Sequence, residues 1–387
     1  MGRATLTCPI VAATPGNLHS FLRATNDTEG TAMHAATPKF GWMMGAVGAD
    51  GEPDAVLYRQ MIADAELGAE LGYDAAWVVE HHFSDYYPTP SPLVLMSHIA
   101  ARCPGFGLGT AVLVTPWHQP LRLAEEIAML SVLTDAPLHI GLGRGNAPLE
   151  YEAFDVAMAE ANERFEECLA ILRLALSGKP FTYQGNYLRV PREVKLRPTP
   201  RLDRLTFLGA IGQPSSGAKY ARLGLPPMLT GHSPLTAQRD ILKAWDDTAR
   251  GLTGDTGAPK VGSSILVMAE SDREAEALAR RYVPRWYQLQ VEHYAFDAER
   301  HANVPGYQPF RETHKRRLVY CDPDNLGPLI EASMIGGAET VRAKMRALLD
   351  VGYNYVILIP SIPSVPATLR QDWLTRFARD VMPYFRA

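Results

Sequence analysis

Cysteine is scarce in this 387-residue chain: Cys8, Cys103, Cys168 and Cys321 stand far apart, with no CxxC pair. That spacing excludes a disulfide framework and fits a reducing compartment, with the thiols serving as small buried hydrophobes. No apolar run approaches the roughly 20 residues needed to span a bilayer, and the N-terminus lacks the charged start and apolar stretch of a signal peptide. A cytoplasmic protein without a membrane partner is expected. An excess of charge is missing too. The 38 basic and 42 acidic residues leave a net charge of −4, and no long basic run could follow a phosphate backbone. Nucleic acid is therefore not an expected partner. No internal repeat is visible.

What the chain does have is apolar material. Hydrophobic residues make up 47% of it and charged ones 21%, enough for a large core and unlike disordered or fibrous chains. At about 150 residues per domain the length allows two or three domains, whereas a large α/β barrel would absorb nearly all of it as one. Residues 1 to 38, rich in Thr, Ala, Asn and Gly without apolar periodicity, read as a poorly ordered arm before a fold occupying 39 to 387.

Eight short apolar runs follow: 39–47, 74–80, 107–114, 138–143, 205–210, 226–230, 261–269 and 355–359. Helical patterns near 54–71, 119–133, 160–176, 215–223, 236–250, 272–294, 338–350 and 367–382 separate or follow them, with Gly or Pro at many boundaries. Eightfold β/α alternation with continuously apolar strands predicts a single (β/α)8 TIM barrel. Doubly wound sheets alternate as well, so the pattern alone leaves closure open. Residues 284–335, after the seventh strand, carry aromatic, basic and Pro residues with no sustained period. Such an interruption predicts a long irregular insertion, either a lid or a disordered segment.

In a barrel the reactive groups gather at the C-terminal strand ends. After the second run come Glu80, His81 and His82. Adjacent histidines at a strand end point to different sides, which is poor geometry for chelating one metal, and no metal is expected. One imidazole can face a pocket while the other braces it; a purely structural histidine, with Glu80 as its buried partner, fits the same residues. The fourth run exits through Gly143-Arg144-Gly145-Asn146, a turn that could cradle a phosphate through backbone N–H groups and a guanidinium. A tight turn with a surface arginine is the plain alternative, and with Asn146 in place of a third glycine a Rossmann fingerprint is weak. After the fifth run, Gln213-Pro214-Ser215-Ser216 opens a helix, where N–H groups and the dipole favour an anion. Ordinary N-capping by Ser215 or Ser216 explains them equally. The small and β-branched residues 109–116 could form a flat wall for a planar ring, or simply fill the core. Two anion-friendly exits on one face suggest a phosphorylated cofactor.

Taken together, WVVEHHF, GTAVLVTPWHQPLRLAEE, HIGLGRG, QPSSG with the later ARLGLPPML, RWY and THKRR resemble, in order, segments of the bacterial luciferase-like monooxygenases, particularly the luciferase α subunit. The likeness runs from about Lys39 to the C-terminal DVMPYF. It implies a barrel that binds FMN, with reduced FMN supplied by a separate flavin reductase, oxygen adding at flavin C4a, and a small organic substrate oxygenated by the resulting peroxide. His81 matches the family's catalytic histidine, with His82 beside it. Arg144 matches the phosphate-binding arginine, and Gln213, Ser215 and Ser216 fall where the phosphate-binding helix opens. Ala111-Val112 matches a non-prolyl cis peptide behind the flavin ring, Glu80 adjoins the cofactor site, and His314 and Lys315 match a mobile loop that closes over the flavin. Two departures stand out: Gly143 replaces a reactive cysteine, and Gly231-His232 replaces a large aromatic near the ring. They set light emission and a long-chain aldehyde substrate apart from the rest of the likeness. Relatives on this barrel use the deazaflavin F420 for hydride transfer, which leaves an F420-dependent oxidoreductase as an alternative; a non-catalytic, luciferase β-like partner subunit is another. A homodimer is expected, since family relatives pair through helices near the first strands.

Overall fold

The structure, a computed structural model, describes residues 37–386 except 49–50, 230–233, 255–256, 296–303, 305–306 and 308. The expected N-terminal arm therefore lies almost wholly outside the described residues, as do Gly231 and His232.

All eight apolar runs form strands, and they pair in parallel. They are β1 (Lys39–Met44), β2 (Ala75–Val78), β3 (Gly107–Val114), β4 (Leu138–Gly143), β7 (Leu205–Ile211), β8 (Pro227–Leu229), β9 (Val261–Met268) and β11 (Tyr355–Ile359). The order β9-β11-β1-β2-β3-β4-β7-β8 closes on itself where Met228 pairs with Val261 and Leu229 with Gly262. Helices cross back between successive strands and cover the outside, so β2, β4 and β11 are buried along their whole length. The chain is a closed (β/α)8 barrel, as the alternation predicts.

Among the described residues three further strands carry no signal in the sequence. β5 (Phe181–Gln184) and β6 (Arg189–Val194) make an antiparallel hairpin whose residues are mostly exposed, so no apolar run marks it. β10 (Met334–Gly336) adds only three residues to β9, from Met334 opposite Leu266. The helix Pro92–Arg102 was also passed over, because PLVLMSHIAAR is apolar nearly all round and carries no clear polar stripe.

The barrel interior is filled rather than hollow. Trp77 stacks on His139 at 5.1 Å between ring centroids and meets the edge of Tyr355 at 5.3 Å. So large a side chain needs small neighbours: a Cβ at Gly41 would lie 2.6 Å from Trp77 Nε1, and one at Gly109 2.5 Å from Trp77 Cε3. Burial, helped by the charge of Lys39, pushes His139 down to about 3, so it packs as a neutral ring. Above this floor Met43, Ala111, Val112 and Ala210 are only partly covered, leaving a rim of small and apolar groups at the C-terminal strand ends.

The insertion follows β9, but its irregular part starts later than 284. The helix Asp272–Tyr294 runs straight through Pro284, which removes the N–H that would bond to the carbonyl of Arg280 without ending the helix. Its inward side, including Val283, Pro284, Trp286 and Tyr287, is buried, and that packing outweighs the proline. Beyond it, Pro309–Tyr320 and Gly327–Ala332 are helical too. Reading the aromatic and basic residues as aperiodic missed these turns because the described helix Pro309–Tyr320 is strongly polar, with only a few positions packed inward.

Candidate active site

Two buried carboxylates organise the barrel mouth, each gathering histidines. Glu80 lies just past β2 and is buried. Its Oε1 accepts from His82 Nε2 at 3.1 Å, Trp117 Nε1 at 3.2 Å and His118 Nε2 at 2.9 Å, while Oε2 accepts the Val114 N–H at 2.9 Å. Burial raises its pKa, but the bonds from His118 and His82, the charge on His118 and the Val114 N–H outweigh that and hold it below the usual carboxylate range. His118 is displaced the other way: burial lowers it, yet Glu80 keeps it above an ordinary histidine.

Glu150 is the second centre, on the short helix Pro148–Ala153 after β4. His81 Nδ1 lies 3.5 Å and His293 Nε2 3.3 Å from its Oε1, which also accepts the His82 N–H at 2.8 Å. Burial pushes Glu150 up, but the imidazoles of His293 and His81 bring it down to about 2, so it stays ionised throughout the physiological range. The neighbouring histidines thus diverge, His81 toward Glu150 and His82 toward Glu80, as alternation at a strand end requires. His81 is packed in an aromatic nest, 4.7 Å from Tyr86 and 4.9 Å from His293 by ring centroid.

Across the rim, β4 and β7 are neighbours, with Leu142 opposite Gly209. Arg144 leaves the first and Gln213-Ser215-Ser216 the second, so the two anion-friendly exits adjoin. The structure resolves the capping alternative: the N-cap of the helix Pro214–Arg222 is Gln213, whose side chain makes no capping bond, with Ser215 and Ser216 already inside the first turn. Side-chain capping by either serine is thereby excluded; Pro214 has no N–H and the Ser216 N–H bonds the Gln213 carbonyl at 3.0 Å, which leaves the Ser215 N–H and the helix dipole as what this turn offers an anion. Tyr220 of the same helix feels Arg144: burial pushes its phenol up and the guanidinium draws it back, to about 12. Arg144 Nη1 donates to Asn162 Oδ1 at 3.4 Å, Tyr151 Oη donates to the Arg144 carbonyl, and the guanidinium lies 4.3 Å above the Tyr307 ring.

Between these groups lies the Ala111-Val112 peptide, which is cis. Gly143 makes space beside it: a Cβ there would come 2.6 Å from Val112 Cγ2. Gly143→Ala is expected to destabilise the fold by about 1–3 kcal/mol through overpacking, read as a lowered urea midpoint; an unchanged midpoint would show that Val112 has room to move. Of the two loop residues, His314 turns inward on the helix Pro309–Tyr320, with Nδ1 buried and its pKa lowered by burial and by Arg317. Lys315 is exposed and paired with Glu312 at 2.8 Å. Tyr307, just before this helix, donates to the Gly145 carbonyl at 3.3 Å, which brings the insertion against the Arg144 turn.

The sequence reading missed Glu150, His293, His118 and Tyr307. His118 and Glu150 each sit within a few residues of a strand exit, in TPWHQP and GRGNAPLE, and their closeness to Val114 and Arg144 was the available signal. His293, in the last turn of a 23-residue helix, gave none.

The sequence profile of the luciferase-like monooxygenases matches residues 38–355. The chain belongs to the luciferase-like monooxygenase family. It is accordingly an enzyme, an oxidoreductase. It is similar to the uncharacterized protein y4wF of Sinorhizobium fredii, 30% identical over 82% of this chain and 89% of that one. The likeness to y4vJ of the same organism is stronger, at 39%, but spans only 36% of this chain and 40% of that protein. An F420-dependent glucose-6-phosphate dehydrogenase of Amycolatopsis mediterranei is 24% identical over 85% of this chain and 95% of its own. Among solved structures, monooxygenase RslO1 of Streptomyces bottropensis superposes with a TM-score of 0.75 at 23% identity, covering 90% of this chain and 99% of that one. The oxygenating constituent of 3,6-diketocamphane monooxygenase of Pseudomonas putida, in complex with FMN, gives 0.71 at 19%, covering 90% and 98%. These two likenesses show the barrel fold. Among the described residues no helix is long and apolar enough to cross a membrane.

Proposed function

We propose that this luciferase-like enzyme is a cytoplasmic flavin-dependent monooxygenase that receives reduced FMN from a separate reductase and uses O2 to oxygenate a small organic substrate. The observation that carries the reading is the adjacency of Arg144 to the uncapped N-terminus of the helix Pro214–Arg222, on the same rim as His81. The donor set suits a phosphate: a guanidinium, the Ser215 N–H at the positive end of the helix and the hydroxyls of Ser215 and Ser216, whereas Pro214 has no N–H and the Ser216 N–H bonds the Gln213 carbonyl at 3.0 Å. The partly covered rim of Met43, Ala111, Val112 and Ala210 suits the flat face of a ring. Bound there, reduced FMN supplies the electrons that activate oxygen.

The chain's own part is binding, orientation and protonation. Arg144 and the Pro214–Arg222 helix hold the phosphate. His81, its Nδ1 directed to Glu150, offers Nε2 to the reacting centre as proton donor and acceptor. Glu80 and His82 act as positioning residues, since their polar atoms are engaged with each other. The insertion that carries Tyr307, His314 and Lys315 acts as a lid excluding water. A second reading, F420-dependent hydride transfer, is favoured by the F420-dependent relative that matches over 85% of this chain. Titrating the protein with reduced FMN and with F420 tests the choice: tighter binding of reduced FMN and oxygen-dependent turnover are expected, and tight F420 binding with oxygen-independent turnover would overturn the proposal. Arg144→Ala is expected to weaken FMN about 10- to 100-fold, the worth of one charge-assisted hydrogen bond. Riboflavin, without the phosphate, serves as control and should bind the variant and the wild type alike.

A homodimer belongs to the same proposal. Met129, Val132 and Leu133 at the end of the helix Pro120–Leu133, and Val94 on Pro92–Arg102, are more than half exposed, an apolar surface on helices that follow β2 and β3. Light scattering showing a clean monomer would refute it.

A further inference from the structure

We propose that His81, Glu150 and His293 form a binding site for a divalent transition cation of the zinc type, and that a cation held on His81 Nδ1 pins the ring's remaining proton on Nε2, so that His81 can no longer accept a proton in the oxygen chemistry. The three side chains come from three elements: the β2 exit, the helix Pro148–Ala153 and the last turn of the helix Asp272–Tyr294. One ligand atom from each, two imidazole nitrogens and a carboxylate oxygen, lies within 4.8 Å of the others. Around a tetrahedral ion with bonds of about 2.0–2.1 Å, ligand atoms stand roughly 3.3 Å apart. The two nitrogen-to-oxygen separations, 3.5 Å for His81 and 3.3 Å for His293, are of that size, and the two nitrogens, within 4.8 Å of each other, are brought in by a small rotation of the partly exposed His81 ring.

A second observation points the same way. His81 Nδ1 and His293 Nε2 are buried and aimed at Glu150, yet neither has a hydrogen-bond partner of acceptable geometry. His293 itself is 1% exposed. Buried polar atoms rarely stay unpartnered, and a cation between them would satisfy both. The surroundings are those of ligands held from behind: Ser84 Oγ bonds His293 Nδ1 at 2.7 Å, presenting Nε2 inward, and the His82 N–H bonds Glu150 at 2.8 Å. Two imidazoles and one carboxylate are a borderline donor set that suits zinc and its neighbours rather than magnesium or calcium.

The other cluster on the rim provides the contrast. Glu80 with His82 and His118 has the same composition, but both its imidazoles bond the carboxylate directly, and Trp117 and Val114 occupy what is left. Every nitrogen that faces that carboxylate is already bonded to it. His81 keeps partial exposure, at 17% of its side chain, and opens the Glu150 cluster to the barrel mouth. The site stands independently of the flavin reading; only the inhibitory consequence rests on it.

Cobalt(II) is the probe. The full chain, stripped with a chelator and titrated with Co2+, is expected to bind one equivalent with visible d–d absorption, which Zn2+ then displaces. His293→Gln should abolish the spectrum, and Ser84→Ala, which leaves all three ligands, should weaken Co2+ about tenfold or more. Circular dichroism checks that each variant folds, and Ser84→Ala decides if His293→Gln does not. No cobalt spectrum in the wild type, or wild-type affinity in folded Ser84→Ala, overturns the site. One equivalent of Zn2+ should also halt oxygen-dependent turnover of reduced FMN, with recovery on adding chelator. Cobalt binding with unaffected turnover overturns the inhibitory consequence alone, whereas a wild type that never consumes reduced FMN defeats the flavin reading and leaves the cobalt result to judge the site.

Discussion

His81→Ala is expected to divert oxygen from substrate to free hydrogen peroxide, with oxygenated product falling by about 10²–10⁴-fold, the usual worth of a positioned acid–base group. The argument is geometric. His81 Nδ1 faces a carboxylate that burial and two imidazoles leave at about 2, so the orientation of the ring does not vary across working pH. On the proposed reading, the partly exposed ring then serves the mouth through its other nitrogen, delivering or withholding a proton. In the variant, on the same reading, the electrons and protons of bound reduced FMN would then pass to O2 as H2O2, with no oxygenated product. Peroxide assay and product yield, measured together on any substrate the wild type accepts, read this directly. His81→Asn keeps bulk and polarity but cannot titrate, so it should uncouple as well. An unchanged time course of flavin reoxidation and an unchanged peroxide yield in both variants would remove His81 from the chemistry.

The barrel was legible because its strands are buried on both faces and therefore read as unbroken apolar runs, from the Phe40 strand to the Tyr355 strand. The candidate rim residues were legible where they come immediately after a strand, as with Glu80-His81-His82 and Arg144. Pairings across the sequence were not. His81 meets a helix end more than 200 residues away, and nothing in the local pattern of Glu292-His293-Tyr294 marks one turn of an amphipathic helix as facing a barrel mouth. The serines of QPSSG show a subtler failure. Their composition suggests a cap, but Pro214 takes the first helical position with its fixed φ, which moves the cap back to Gln213 and the serines into the turn. The insertion concealed its helices for a different reason: with few inward positions, Pro309–Tyr320 offers no apolar period to detect.

Glu80 should matter more to stability than any other polar group on the rim. Glu80→Ala leaves His82, Trp117, His118 and the Val114 N–H facing a void, and breaking so buried a set from one side costs about 3–5 kcal/mol. Glu80→Gln keeps the shape and one acceptor but turns an amide donor toward other donors, so a smaller loss of about 1–3 kcal/mol is expected. The pH dependence separates charge from shape. Glu80 is held below its usual value near 4.5, so its contribution is fully present above that pH and is lost as pH falls through the depressed folded value. His118 is held above its usual 6.5, so its contribution is fully present below 6.5 and is lost as pH rises through the raised folded value. The pair therefore stabilises most between about pH 4.5 and 6.5, and urea midpoints of the wild type should be highest there relative to Glu80→Gln. The gap should narrow on both sides, on the acid side because the wild-type carboxylate protonates and on the alkaline side because His118 loses its charge. A gap that stays constant with pH would mean that Glu80 holds the mouth together by hydrogen-bond geometry alone, with its charge contributing nothing.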